Sequence, residues 1–161
     1  MNVRPDPADP VASRTAHLAS RYGTEARDVL TMADGHPELL GPLVPGLPYL
    51  AVEALWAVRR EMARSVSDVL DRRTQASFRD ARAAADAAPS VAALIGPELG
   101  WDAERAGLEA DAYAAVVRGR LTRAGLDPAA DASGDDPVGG TGGADGAGGG
   151  GPAEPAGVVD A

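Results

Sequence analysis

Eight charged residues crowd one short stretch: Arg59, Arg60, Glu61, Arg64, Asp68, Asp71, Arg72 and Arg73. Arginine presents a planar fork of donors that matches a phosphate or a carboxylate, so this stretch could hold a small anion. The same spacing also suits a structural role. On a helix Glu61 reaches Arg64 three residues on, and Asp68 reaches Arg72 four residues on; both are ordinary ion-pair spacings. Each arginine has an acid close by to neutralise it. A network tying two consecutive helices together is therefore the favoured reading of Arg59, Arg60, Glu61, Asp68, Arg72 and Arg73.

Other candidate chemistry is thin. The two histidines, His17 and His36, fall on different segments. A helical zinc-protease signature needs two histidines four apart around a glutamate, which neither supplies. Both read as surface or boundary residues. Ser13, Ser20, Ser65, Ser67, Ser77 and Ser90 sit in no nucleophile elbow, and Ser65 is better explained as a helix cap. There is no cysteine, which removes disulfides, thiolate nucleophiles and cysteine-ligated metals. All 15 basic residues are arginine. Without lysine there is no Walker-type phosphate loop and no Schiff base. The residues themselves nominate no catalytic, cofactor-binding or metal-binding group.

The 161 residues carry a net charge of −9, unevenly spread. From Gly125 to Ala161, 37 residues hold 12 of the 20 glycines, 4 of the 13 prolines, 7 acidic residues and no arginine. The preceding stretch is close to neutral, with 15 arginines against 17 acids. It offers no cationic face to release counterions from nucleic acid. The expected layout is a flexible N-terminus over residues 1–10, a helical domain over 11–124 and a disordered acidic glycine-rich tail over 125–161. Glycine pairs in that tail are no dinucleotide fingerprint, which requires a strand before and a helix after. The first ten residues lack a signal peptide's apolar run, and no window spans a bilayer. A cytoplasmic chain without a transmembrane segment is expected.

Pattern and punctuation predict an all-α body, a compact bundle of five to seven helices. Asp9 caps a helix that starts at Pro10 and stops at Gly23, and Thr24 caps the next, with Ala26, Val29, Leu30 and Ala33 on one face. From Gly35 to Pro48, proline forbids regular structure, yet Leu39, Leu40, Leu43, Val44 and Leu47 should pin the loop onto the domain. Tyr49 to Ala63 reads as a helix whose stripe contains Val52, Leu55, Trp56, Met62 and Ala63. Trp56 belongs to the core on this reading, although Trp56 and Trp101 could also anchor an interface. Ser65 with Asp68 fits a cap that starts a second helix through Val69 and Leu70. An alanine-rich helix follows, with a break or kink at Pro89 and an end at Gly96 and Pro97. Asp102 caps the last helix, whose stripe is Ala106, Ala110, Tyr113, Val117 and Leu121; Gly125 and Pro128 stop it.

Several strings in this order resemble a known family. His17-Leu18, Arg21 to Ala26 and Val29-Leu30 are similar to the start of the C-terminal helical domain of bacterial FAD-dependent glycerol-3-phosphate dehydrogenases and alpha-glycerophosphate oxidases. The likeness continues through Pro37-Glu38-Leu39, Pro42-Leu43, Tyr49 and Glu53. It is strongest from Glu61 to Thr74 and ends near Leu99 to Asp102 and Tyr113. In that family, glycerol 3-phosphate and FAD are bound by an upstream fold, so the resemblance carries no catalytic residue onto this chain. It implies a detached helical cap with no cofactor of its own, a flavin-binding dehydrogenase chain as partner, and a parent enzyme peripherally associated with membranes. Two alternatives stay open: a free-standing helical interaction module, and a small anion binder using the arginine cluster.

Overall fold

The computed structural model describes residues 10–126. The expectations for the N-terminal residues before Pro10, for the tail beyond Leu126 and for the Asp9 and Pro128 helix signals lie outside them. Six α-helices follow one another: α1 Pro10–Tyr22, α2 Ala26–Thr31, α3 Ala51–Glu61, α4 Ala76–Arg79, α5 Ala81–Leu99 and α6 Ala103–Arg123. A π-helical turn, Asp68–Arg73, stands between α3 and α4. The described residues are all-α, with one isolated bridge between Pro42 and Leu50 and no strand.

The chain passes from α1 to α2 through a 3-10 turn, Gly23–Glu25, with no side-chain cap. Thr24 therefore does not cap α2 as expected; it sits inside that turn, and Glu25 takes the cap position. The proline-rich loop is pinned as anticipated. Leu39, Leu43 and Val44 are buried, and the Leu43 N–H donates to the Tyr49 carbonyl at 2.8 Å. A 3-10 turn over Pro37–Leu40 lets its proline sit where a missing N–H costs nothing.

Helix α3 lies between two hydrophobic clusters. Val52, Leu55 and Trp56 pack with Leu18, Val29 and Leu39, while Ala54 and Ala57 join Leu70, Val91, Ile95 and Val117. Trp56 is a core residue. Met62 departs from the expected stripe: α3 ends at Glu61, Met62 turns the chain with φ 59°, and its side chain is 79% exposed. Ala63 and Val66 then re-enter the core. Ser65 caps the following turn by accepting from the Asp68 N–H at 3.0 Å, but Asp68 bonds the Arg64 N–H rather than that of Ser65.

Asp80 starts α5 by accepting from the Ala83 N–H at 2.9 Å. Of the break or kink expected at Pro89, no break occurs, and contrary to expectation α5 does not end at Gly96 and Pro97; it continues through both prolines to Leu99. Both prolines lie on its exposed face, where carbonyls left without donors can reach water. Gly100, at φ 70°, makes the turn that stops it. Asp102 caps α6 through the Arg105 N–H at 2.8 Å, as its position predicts. α5 and α6 pack along their length as a helical hairpin. A Cβ built on Gly96 would lie 3.7 Å from Ala106 and 3.6 Å from Trp101, ordinary contact distances, so the two helices meet here without needing glycine. Ala110, Tyr113 and Val117 face that seam.

Candidate functional site

Among the described residues the most buried charged group is Glu53, with no exposed surface. Its position follows from the start of α3. Glu53 is the third residue of that helix, where a carboxylate reaches back to the preceding backbone and complements the helix dipole. Its Oε1 accepts the Leu50 N–H at 2.8 Å. Helix α1 supplies the rest. His17 Nε2 lies 2.8 Å from Oε1, the Tyr22 hydroxyl donates to Oε2 at 3.1 Å, and Arg21 Nε lies 3.1 Å from Oε2. Spacings of four and five residues place these three side chains on one side of α1.

Aromatic rings enclose this centre. His17 meets Tyr49 edge-on at 5.8 Å, Tyr22 meets Trp56 at 6.0 Å, and the Arg21 guanidinium lies 5.4 Å from the Tyr49 ring centre. Burial, reinforced by the Glu53 charge, pushes the Tyr22 phenol well above the usual tyrosine value, so it remains a neutral donor. Burial opposes the charge on Arg21, but the Tyr22 bond and the attraction of Glu53 outweigh it and raise its pKa. Both carboxylate oxygens of Glu53 are thus occupied from within the domain. This arrangement fastens α1 to α3, and no open face presents the carboxylate to a substrate.

The arginine-rich stretch does not converge on one point. Arg59 makes a two-pronged pair with Glu98 on α5, at 2.7 and 2.6 Å, which holds the Glu98 carboxyl below its ordinary range and raises Arg59. Arg60 lies over the Trp56 ring at 5.8 Å. Arg72 pairs with Asp68 at the expected four-residue spacing. Glu61 is paired not with Arg64 but with Arg73, Nε to Oε2 at 3.4 Å. The reason is local: α3 ends at Glu61, so no further turn carries Arg64 past it. Arg73 also donates to the Glu61 carbonyl, closing the C-terminal end of α3. An open polar cleft of about 620 Å³ beside this contact is lined by Arg21, Tyr22, Glu25, Glu61, Arg73 and Gln75.

His36 stays on the surface against Glu38 at 3.0 Å. Among the described residues no three histidine, cysteine, aspartate or glutamate side chains gather as a metal site, and no helix is long and apolar enough to cross a membrane. Sequence reasoning did not find the Glu53 centre. By its sequence surroundings His17 reads as a surface or boundary histidine, yet it packs on Glu53. The available signal was an acid set among apolar residues in Val52-Glu53-Ala54-Leu55-Trp56, with Tyr49 one turn before it.

A model of the family described as the C-terminal domain of alpha-glycerophosphate oxidase matches residues 10–106. Glycerol-3-phosphate dehydrogenase 2 of Mycobacterium tuberculosis is 38% identical over 108 residues, covering 67% of this chain and 18% of that protein. The glycerol-3-phosphate dehydrogenase of Mycobacterium leprae gives the same identity and coverage. The human mitochondrial glycerol-3-phosphate dehydrogenase is 36% identical over 90 residues, covering 53% of this chain and 12% of that protein. The chain thus spans less than a fifth of the length of these relatives. No solved structure matches it. By the extent of the match to its helical body, this chain belongs to the family of C-terminal domains of alpha-glycerophosphate oxidase.

Proposed function

We propose that the chain acts as the helical cap of a glycerol-3-phosphate-oxidising flavoenzyme, docked on a separate flavin-bearing chain in the cytoplasm and contributing shape rather than redox chemistry. The observation that carries this reading is the family match over the helices, against relatives whose names state a glycerol-3-phosphate dehydrogenase and most of whose length lies outside the match. FAD needs a strand, a glycine-rich turn and a helix N-terminus to cradle its pyrophosphate. The described residues contain no strand, and the two longest helices, α5 and α6, are entered through the acidic caps Asp80 and Asp102. They do not fit that cofactor. Among the described residues the one fully buried carboxylate, Glu53, is spent on fastening α1 to α3.

On this reading Arg59 ties α3 to α5 through Glu98 and Arg73 ties the π-helical turn to Glu61 at the end of α3, while Arg60 lies on Trp56 within α3 and Arg72 on Asp68 within the turn. The test is the purified chain by itself. It should carry no visible flavin absorbance and should not reduce a dye acceptor with glycerol 3-phosphate. Turnover by the chain alone would overturn the proposal.

A further inference from the structure

The described residues end at Leu126, and the way α6 stops sets the direction in which the chain is handed on. Gly125, at φ 66°, takes a left-handed turn. Its N–H donates to the Thr122 carbonyl at 3.0 Å, and the Leu126 N–H reaches back to the Leu121 carbonyl at 2.9 Å. This pair of bonds reverses a chain at a helix end. The exit therefore lies beside Leu121 rather than along the axis of α6.

Leu121 borders an open hollow of about 550 Å³ between α4 and the C-terminal half of α6. Phe78 stands on one side of it, and Arg120 and Ala124 on the other. Phe78 is 80% exposed, an aromatic ring left in water at the rim. Inside, Asp71 accepts from the Ser67 and Tyr113 hydroxyls, both at 2.8 Å, and Arg72 is paired with Asp68. Both of those charges are engaged within the domain.

The end of α6 is different. From Arg118 to Leu126 there are three arginines and no acid. Arg118 has Asp86 at 3.2 Å. Arg120 and Arg123 are exposed, and among the described residues neither has a carboxylate within ion-pair distance. A helix end carries the equivalent of about half a negative charge, less than two guanidiniums supply. The sequence that follows has the opposite sign. Residues 127–161 contain seven acids and no arginine, with Asp127, Asp131, Asp135 and Asp136 nearest the exit. Pro137 and Val138 come directly after the fourth aspartate.

We propose that residues 127–138 fold back on this face as its occupant. Their aspartates lie against Arg120 and Arg123 on the rim, clear of Asp71, and Pro137 and Val138 cover Phe78. The reach is ample: at about 3.3–3.6 Å per residue this segment spans roughly 40 Å, against about 15 Å for half of α6. Covalent attachment over such a length gives an effective concentration on the order of millimolar, enough to populate a contact too weak for separate molecules. The contact stands apart from the docking role above, because it requires no flavin-bearing chain.

The test is paramagnetic broadening in the full-length, isotope-labelled chain with a nitroxide on Gly140→Cys. The chain has no cysteine, so the label goes to one place. A second chain with Asp127, Asp131, Asp135 and Asp136 all changed to Asn sets the broadening that tethering alone produces. At low salt the native acids should exceed that level by about threefold or more at Ser77 and Phe78, the scale of one or two exposed ion pairs. In roughly 1 M salt, where screening acts within about 3 Å, the excess should vanish. Arg120→Gln combined with Arg123→Gln should remove it too, with thermal unfolding little changed. Nitroxide-bearing chain mixed with isotope-labelled chain that lacks the nitroxide should broaden nothing. Broadening in that mixture would make a second copy the occupant and overturn the proposal. So would broadening no greater than in the Asn chain, or an excess that survives either salt or loss of both arginines.

Discussion

Glu53→Ala removes the acceptor on which four groups converge: the Leu50 N–H, His17, the Tyr22 hydroxyl and Arg21. The four do not lose equally. His17 and Arg21 keep 18% and 27% of their side-chain surface exposed and can turn to water. The Leu50 N–H is buried, Leu50 itself being 4% exposed, and Tyr22 packs edge-on against Trp56. Each buried donor left without a partner costs about 1–3 kcal/mol. Adding the space left by the lost methylenes brings the total to about 3–5 kcal/mol, the range found when one partner of a buried ion pair is removed. For a domain of this size that corresponds to a fall in Tm of roughly 10–20 °C. Urea unfolding followed by tryptophan fluorescence reads it directly, because Trp56 sits beside Tyr22. Glu53→Gln, which retains an acceptor for the Leu50 N–H, should lose about half as much. A loss below about 1 kcal/mol in Glu53→Ala would refute the view that this carboxylate fastens α1 to α3.

Other outcomes follow from the same geometry. Burial raises the phenols of Tyr22 and Tyr113, so the folded state favours their protonated forms. Their contribution is complete below the ordinary tyrosine value near pH 10 and is lost as pH rises from there through the raised folded values. The urea midpoint should therefore drop above about pH 10, and Tyr113→Phe should flatten that decline. Asp68 and Glu98 are held below the ordinary carboxylate range, by backbone and arginine bonds that in Asp68 exceed the opposing burial. Their contribution is present above the ordinary carboxylate pKa and fades as pH falls through the folded values, so Glu98→Gln should make the acid limb of a stability profile shallower. At neutral pH, Arg59→Met should cost under about 1 kcal/mol, since its pair with Glu98 is largely exposed. Thr74→Val leaves the π-helical turn without its hydroxyl bond to the Val69 carbonyl and should lower stability by about 1–2 kcal/mol in a urea titration.

Local signals made most of the architecture legible. The Asp102 cap, the α6 stripe through Tyr113 and Val117, and the pinned leucine loop all depend on neighbours in the chain, and each stands as the pattern implies. The departures came where tertiary surroundings override propensity. Pro89 would end an isolated helix, but on the solvent face of α5, with alanines buried on the other, the helix continues. Met62 looked apolar and in phase, yet a left-handed residue is needed there to end α3, and the turn carries its side chain outward. The π-helical turn could not be read from Asp68 to Arg73, because it depends on Thr74 being buried under the core.

The Glu53 centre was hidden for a similar reason. Its partners His17 and Tyr22 lie 36 and 31 residues away, and their pairing exists only once α1 packs on α3. The arginine stretch shows the converse. Its ion-pair spacings were visible, but the partners of Arg59 and Arg73 depend on where α3 stops and how α5 crosses it.

The docking claim is best examined by affinity capture with the tagged full chain from cells of its own source. The captured partner should be yellow and should reduce a dye acceptor when glycerol 3-phosphate is added, while the chain by itself does neither. Recovery of the chain with no flavin-bearing partner, or a partner that ignores glycerol 3-phosphate, would contradict the account.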